Sequence, residues 1–551
     1  MWRAAERHHP SGSVRRLIVA PSVAGRQQWE DSMTATGKGT STAPARIVIL
    51  VDNGVTGDSR VQKTARSAAD AGWDVTLLGS SPNGRPQQWR LGSATVRLLP
   101  MPSPLRQRRH ELRRRWLLGP LAYPPTGVAA RRQQEVRAWQ ADLRVRRALL
   151  TSEGGSSLAR QWLRAQALAA RVVRKWISFR HWQLTNGQKK RKRLTTPSDR
   201  LFTWLQLRLR GDRAWRRLEP QLWDFELAFA QVVDQLKPDI IYANDFRMLG
   251  VGARAKIRAA AAGREIKLIW DVHEYLPGVK PRVDNNRWMV ANQAHEREYA
   301  RWADAVMTVS DRLAELLQRD HGLAERPSIV LNTPNAADAL GAHGADSQDV
   351  RSKCGLDPDD PLVVYSGAAA AHRGMGVMVE ALPRLSDAHV AFVVNAPAGP
   401  YMKSLVARAR ELGVADRVHV LPYVAPAEVV GFLSTATLGV IPIHHWLNHE
   451  IQLITKFFEY SHARLPIVVS DVETMAAAVQ ESGQGEVFQV DDVDGFVMAV
   501  ETILADPQRY RKVYDAMDLR VWTWEEQARV QNSIYQRLAP QDRHPALSAS
   551  D

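Results

Sequence analysis

The sequence predicts an α/β protein built from two doubly wound, Rossmann-like domains, with a basic helical insertion in the first. Three observations carry this. Short β-branched runs alternate with helical stretches from residue 46 to 100 and again from 231 to 335. The same alternation returns from 361 to 520. Between the first two blocks it stops, and residues 101–230 hold 29 Lys and Arg against 9 Asp and Glu. That excess of +20 is larger than the +16 of the whole chain, so the rest of the protein is slightly acidic. The expected organisation is a disordered leader (1–44), a first domain (45–100 and 231–345), the insertion (101–230), a second domain (346–520), a terminal helix (521–540) and a disordered tail (541–551).

Length and composition narrow the class. A chain of 551 residues has room for two large domains and extra segments. Its one cysteine, Cys354, excludes a disulfide framework and any multi-cysteine metal site, and fits a reducing cytosol. No apolar run approaches the roughly 18 residues needed to cross a bilayer. The leader carries arginines without a continuous apolar stretch, so it does not read as a signal peptide, and Met33 is an alternative start.

In chain order, Ile47 to Val51 form a first strand, and Gly54, Gly57, Asp58 and Arg60 lie in the loop after it. A helix over 61–71 and a strand over 73–79 follow, the β-loop-α-β order of a sheet whose ligands bind beyond its carboxyl edge. Two glycines allow close backbone approach, and the helix start offers free N–H groups to an anion. The pattern equally suits a mere turn.

The insertion is rich in Arg, Leu, Ala and Trp, including Trp116, Trp139, Trp162, Trp176, Trp182, Trp204, Trp215 and Trp223. Leu158, Trp162, Leu163, Ala165, Leu168, Val172, Val173 and Trp176 recur as an apolar helical stripe. A basic block occupies 188–193. Three readings stay open: a helical insertion with a solvated charged face, a patch for an anionic membrane surface, and a nucleic-acid site, which ranks last.

The alternation resumes with a strand over 237–245, ending in Asn244 and Asp245, and a helix from Leu249. A strand over 266–275 ends in Asp271, His273 and Glu274, where this architecture points at the cleft. A single histidine is more often structural, but carboxylates on both sides make His273 a site candidate. Strands near 302–311 and 328–335 close the domain, with Ser310 as a helix cap. Residues 336–349, small and polar, form the linker. The second domain opens with a strand over 361–367 ending at Gly367, then Arg373 and Gly374. A guanidinium beside free backbone N–H groups suits a diphosphate, though an arginine after a loop is commonly just solvated. Strands near 390–395, 418–423 and 438–443 follow.

The last stretch to place is Thr455 to Tyr460, a helix running through Pro466 into the strand Ile467, Val468, Val469. Lys456 and Glu459 stand three apart and share a helix face. By themselves they read as a surface ion pair. With Asn448, Phe458, Tyr460 and Pro466 around them, however, they resemble the donor-binding signature of retaining GT-B glycosyltransferases (family 4-like, "glycosyl transferases group 1"). Asp271-Val272-His273-Glu274 resembles that family's Asp-x-His-Glu, and Ala243-Asn244-Asp245 its Ala-His-Asp. Two positions depart from the pattern. Ile451, beside Glu450, stands where an earlier glutamate is usual, and Arg464 replaces a turn glycine.

What the resemblance implies is transfer of a sugar from a nucleotide-diphosphate donor, UDP- or GDP-linked, with anomeric configuration retained, in a cleft between two facing domains. Gly367, Arg373, Gly374, Lys456, Phe458 and Glu459 would bind the donor, with Glu459 on a ribose hydroxyl and Lys456 on the diphosphate. His273, Arg373, Lys456 and Glu459 would be catalytic. Gly54, Gly57, Asp58, Arg60, Asp245 and Glu274 would form the acceptor side. Two cations can replace a divalent metal, so no metal and no bound cofactor is expected. The acceptor expected is a glycan or lipid-linked cell-envelope precursor, met in the cytoplasm or peripherally at the inner face of the plasma membrane. The alternatives are a nucleotide-sugar 2-epimerase of the same fold and a non-catalytic basic scaffold on membrane or nucleic acid.

Overall fold

A computed structural model describes residues 44–101, 156–279 apart from 195, 285–336 and 349–539, with parts of 135–150. The leader to residue 43, Met33, Trp116, linker residues 337–348 and the tail from 540 lie outside the described residues, as do the side chains of the basic block at 188–193.

The first domain is an eight-stranded sheet in the order β3-β4-β2-β1-β5-β6-β7-β8. It comprises β1 (Arg46–Leu50), β2 (Asp74–Ser81), β3 (Gln87–Leu91), β4 (Ala94–Pro100), β5 (Ile240–Asn244), β6 (Lys267–Val272), β7 (Ala305–Thr308) and β8 (Ser328–Ile329). All neighbours are parallel except β3 and β4, an antiparallel hairpin that the sequence reading left out. The second domain is fully parallel, ordered β11-β10-β9-β12-β13-β14. Its strands are β9 (Leu362–Gly367), β10 (His389–Val394), β11 (Val418–Pro422), β12 (Leu438–Ile441), β13 (Ile467–Ser470) and β14 (Gly485–Phe488).

These strand orders position the site. The chain leaves β1 toward β2 on one side and returns to β5 on the other, so the β1 and β5 loops part at their carboxyl ends. In the second sheet β9 and β12 diverge in the same way. Such switch points form crevices because neighbouring loops turn to opposite faces of the sheet. The strands are Val- and Ile-rich because helices cover both faces; Ile47, Val48, Ile49 and Leu50 are fully buried.

Among the described residues, the long helices of the insertion are α2 (Ser157–Arg193) and α3 (Pro197–Arg210), after α1 (Ser59–Asp70). The boundary drawn at 230 falls inside a helix, α4 (Leu222–Leu236), which belongs to the first domain. Leu222, Phe229 and Val233 are buried in the core shared with β5, β6 and α5 (Asp245–Ala261). Trp215 joins that core: it is fully buried against His295 and Tyr299 of α6 (Trp288–Ala300), and its Nε1 donates to Glu298 at 2.6 Å. It is therefore no interfacial tryptophan. Even α3 is tied in, through a buried ion pair between Asp199 and Arg287 at 2.9 Å.

Two junctions join the domains. One is α8 (Trp524–Leu538), after α7 (Thr455–His462) in chain order, which packs across the first domain. There Gln531 donates to the Tyr242 hydroxyl at 3.0 Å, and Trp73 Nε1 donates to Asn532 at 2.8 Å. The other is a clasp in which Asn448 Oδ1 accepts from Tyr275 N at 2.9 Å and Ser310 Oγ donates to the Ile451 carbonyl at 2.5 Å. Ser310 Oγ also caps its helix, accepting from Leu313 N. Arg464 holds the turn before β13 at φ 55°, the left-handed backbone that glycine takes at lower cost.

Candidate active site

A cleft of about 680 Å³ opens between the carboxyl edges of the two sheets. Its first-domain wall includes Gly57, Asp58, Arg60 and His273, and its second-domain wall includes Gly367, Arg373, Lys456 and Glu459. The structure thus brings together eight residues that sequence reasoning had collected from four separate stretches.

On the second-domain wall α7 follows an extended residue, Ile454, so its first turn faces the cleft. Lys456 and Glu459 are buried, 8% and 9% exposed, which removes the reading of a surface ion pair. Neither makes an ion pair or side-chain hydrogen bond among the described residues. Instead Lys456 Nζ lies 3.8 Å from the centre of the Tyr365 ring. Burial, with Arg373 nearby, pushes its pKa well below the usual lysine value, against the pull of Glu459. Burial likewise raises Glu459, against Lys456 and Lys63. Gly367 (φ 132°) passes so close that a Cβ there would stand 3.0 Å from Lys456 Nζ. Gly374 (φ 68°) has no room at all, since a Cβ would meet the Pro442 carbonyl at 1.6 Å.

Behind the first-domain wall lies a hydrogen-bonded network centred on Asp271. Asp271, at the end of β6, accepts Arg60 Nε at 3.0 Å and Nη2 at 2.9 Å, and the Tyr242 hydroxyl at 2.6 Å. It also bonds His273 Nε2 at 2.7 Å. Burial opposes its charge, but Arg60 and His273 outweigh that and hold it far below the usual carboxylate range. Burial also opposes protonation of His273, and the carboxylates of Asp271 and Asp245 overcome it, raising its pKa. With Nε2 engaged, Nδ1 is the ring nitrogen left for a ligand. Asp245, at φ 58°, begins the helix after β5 and does not line the cleft, though its carboxylate acts on His273; burial pushes its own pKa up to about 6.

Four other expected site residues are placed differently. Phe458 is 1% exposed and packs edge-on against Phe457 and Trp522, so it belongs to the core, not the donor pocket. Arg60 reaches the wall, but its guanidinium is spent on Asp271 and on the Val330 carbonyl, which makes it a support for His273 and not an acceptor ligand. Gly54 faces Pro82, off the cleft. Glu274 is exposed and also off it. Asp58 lines the cleft and caps α1, accepting Val61 N at 3.3 Å.

Sequence reasoning missed Gln452. It lines the cleft beside Lys456, and its Oε1 is buried without a hydrogen-bond partner. Ser366 Oγ shares both properties. Glu450, the acid next to the unusual Ile451, is already committed: Oε1 to His445 Nδ1 at 2.7 Å and Oε2 to Glu473 N at 2.8 Å. The signal was the departure at 451 itself.

Comparison with known proteins agrees with this fold. Residues 346–518 match the family described as glycosyl transferases group 1, and residues 196–335 match glycosyltransferase family 4. The chain belongs to these GT-B glycosyltransferases. Among relatives of this chain, D-inositol 3-phosphate glycosyltransferase of Nocardia farcinica is 24% identical over 232 residues, 41% of this chain and 50% of that one. Alpha-D-kanosaminyltransferase of Streptomyces kanamyceticus is 27% identical over 218 residues, 39% and 54% of the two chains. The match spans about half the length of each relative. Among solved structures, sucrose-phosphate synthase from Thermosynechococcus elongatus superposes with a TM-score of 0.56 at 16% identity, covering 90% of this chain and 99% of that one. Anabaena HepE in complex with UDP and glucose does so at 0.52 and 12%, covering 90% and 100%. These likenesses establish the fold.

Proposed function

We propose that the protein transfers a sugar from a UDP- or GDP-sugar to a glycan or lipid-linked cell-envelope acceptor, on the cytoplasmic side of the membrane, with retention at the anomeric carbon. The observation that carries this reading is the pair of buried, unpaired charges at Lys456 and Glu459, with Arg373 beside them, facing His273 across the cleft.

A diphosphate supplies what Lys456 lacks, an anion in a site that already excludes most water. As the bond from the anomeric carbon to the diphosphate oxygen breaks, negative charge grows on that oxygen. Lys456, Arg373 and the backbone near Gly367 and Gly374 are fixed in advance to receive it. The acceptor oxygen forms the new bond, and its proton leaves with the diphosphate. Glu459 would accept a ribose hydroxyl, and His273 Nδ1 would meet a hydroxyl of the transferred sugar. Gln452 and Ser366 offer further polar atoms to that sugar. The Anabaena HepE structure holds UDP and glucose, which supports a nucleotide-sugar as the donor.

The test is thermal shift of the purified protein with UDP, GDP, ADP and dTDP, repeated on Glu459→Ala and Lys456→Ala. One nucleotide should raise Tm in the wild type and much less in either variant. A shift that survives both substitutions, or none from any nucleotide, overturns the donor assignment. Incubation with donor alone separates transfer from 2-epimerisation, which needs no acceptor.

A further inference from the structure

Helix α2 runs for 37 residues, about 55 Å at 1.5 Å per residue. It carries eleven Lys and Arg and not one Asp or Glu. An amphipathic helix on a globular domain turns its apolar stripe to the core. This one does the reverse. The face seated on the protein holds Ala170 and Ile177, while Leu158, Trp162, Leu168, Val172 and Trp176 point to solvent, with Trp162 66% exposed and Leu158 76%. Exposed Arg160, Arg164, Arg171 and Lys175 run along one flank of that stripe. Trp176, Phe179 and Trp182 form an exposed aromatic ladder with ring centres about 6 Å apart. Helix α3 repeats the arrangement: Leu201, Trp204 and Leu209 are at least 60% exposed, next to Arg200, Arg208 and Arg210.

We propose that the outward faces of α2 and α3 form a docking surface for an anionic lipid bilayer, with the helices lying in the plane of the interface. The chemistry selects this occupant. Leucines and valines half or more exposed to water gain from burial among acyl chains, indole rings settle at the headgroup level, and the flanking cations meet lipid phosphates. A nucleic acid would engage the cations and rings but leave Leu158, Leu168, Leu201 and Leu209 wet. A second copy of the face would set eleven cations against eleven. No described helix is long and apolar enough to cross a membrane, which agrees with a helix that lies on one. The surface is fixed to the catalytic body, because α3 is anchored by the buried Asp199–Arg287 pair and the segment after it enters the first-domain core. The inference rests on this surface alone and holds whether or not the donor reading does.

Co-sedimentation with vesicles of phosphatidylcholine, and of phosphatidylcholine mixed with phosphatidylglycerol, tests it on the full chain. Binding should be at least tenfold tighter to the anionic vesicles and should weaken as salt is raised. Arg164→Gln, Arg171→Gln and Lys175→Gln together should lower it roughly a hundredfold, each cation near the surface being worth about fivefold. Trp162→Gln, Trp176→Gln and Trp204→Gln together should lower it tenfold or more. All these side chains are exposed, so Tm and any nucleotide-induced shift should stay at wild-type values in both variants. Equal binding to neutral and anionic vesicles, full binding by either variant, or capture of mixed-sequence RNA without vesicle binding would overturn the proposal.

Discussion

Replacing Lys456 with methionine separates a catalytic lysine from a structural one. The change keeps the length of the side chain and removes the charge. In the free protein the Lys456 ammonium is buried, faces an aromatic ring at 3.8 Å and lacks a carboxylate partner. Burying an unpaired ammonium is costly, so methionine should leave Tm unchanged or higher. In the reaction the effect has the opposite sign. A unit charge about 4 Å from the leaving oxygen is worth about 4 kcal/mol at an effective dielectric of 20. Mutational losses of one preorganised group at a developing oxyanion run to about 2.7–4 kcal/mol, or 10²–10³-fold. With Arg373 still present, kcat should therefore fall 10²–10³-fold. Burial lowers the lysine pKa and a bound diphosphate should raise it again, so the pH dependence of nucleotide affinity should differ between the wild type and Lys456→Met. The assay is nucleotide release from a radiolabelled donor. A variant within fivefold of wild-type kcat, or one whose Tm falls by more than about 5 °C, refutes the argument.

Two further substitutions probe the walls of the cleft. Gln452→Ala should leave UDP or GDP affinity within twofold but weaken the sugar-nucleotide by about tenfold, the worth of one hydrogen bond to a hydroxyl; equal effects on both ligands would remove Gln452 from the sugar subsite. Asp271→Asn leaves Arg60 buried against a neutral amide and should cost about 3–5 kcal/mol, read as a Tm drop of roughly 10 °C. The acid limb carries the sign: Asp271 has a lowered folded pKa, so its stabilisation is complete above the unfolded carboxylate value near 4 and is lost as pH falls. The variant's Tm should therefore vary less with acid than the wild type's, and an identical pH profile would show that Asp271 carries little of the fold. For His273 the direction reverses, its contribution being present below the unfolded histidine value and fading as pH rises through the raised one.

Much of this was legible in the sequence because parallel strands are buried on both faces and so read as dense β-branched runs; β1, β6, β9 and β13 all announce themselves this way. Lys456 and Glu459 were legible as one helix face. What spacing could not give was depth, and the same i,i+3 pair describes a solvated surface or a buried site. Phe458 shows the complementary failure, since a motif position names a residue without saying which way it points. The end of the insertion was misplaced because Trp215, Trp223 and the arginines of 213–217 resemble the exposed composition of α2, whereas Trp215 is in fact buried by helices from later in the chain. The β3–β4 hairpin stayed hidden because Gln87 to Arg90 are too polar to read as a strand and pair only at the sheet edge. Gln452 stands next to the departure at Ile451, the one hint in the sequence, but only the structure shows its oxygen buried without a partner.

The two walls of the cleft differ in a way that bears on where the ligand binds. On the first-domain wall the carboxylate behind His273 is matched within the protein: Asp271 is met by Arg60, Tyr242 and His273. On the second-domain wall Lys456 and Glu459 are buried without ion pairs, and Gln452 Oε1 and Ser366 Oγ are buried without hydrogen bonds. Each such group costs stability in the free protein, of the order of 1–3 kcal/mol where a neutral donor or acceptor is left unmet. Four within one 680 Å³ cleft are hard to reconcile with a purely structural role, because apolar replacements would relieve every one of them. Their common remedy is a ligand carrying an anion for Lys456 and hydroxyls for Glu459, Gln452 and Ser366. A sugar joined to a nucleoside diphosphate has both. On the proposed reading the satisfied wall is the rigid surface against which His273 is held, and the unsatisfied wall is the one a donor would complete.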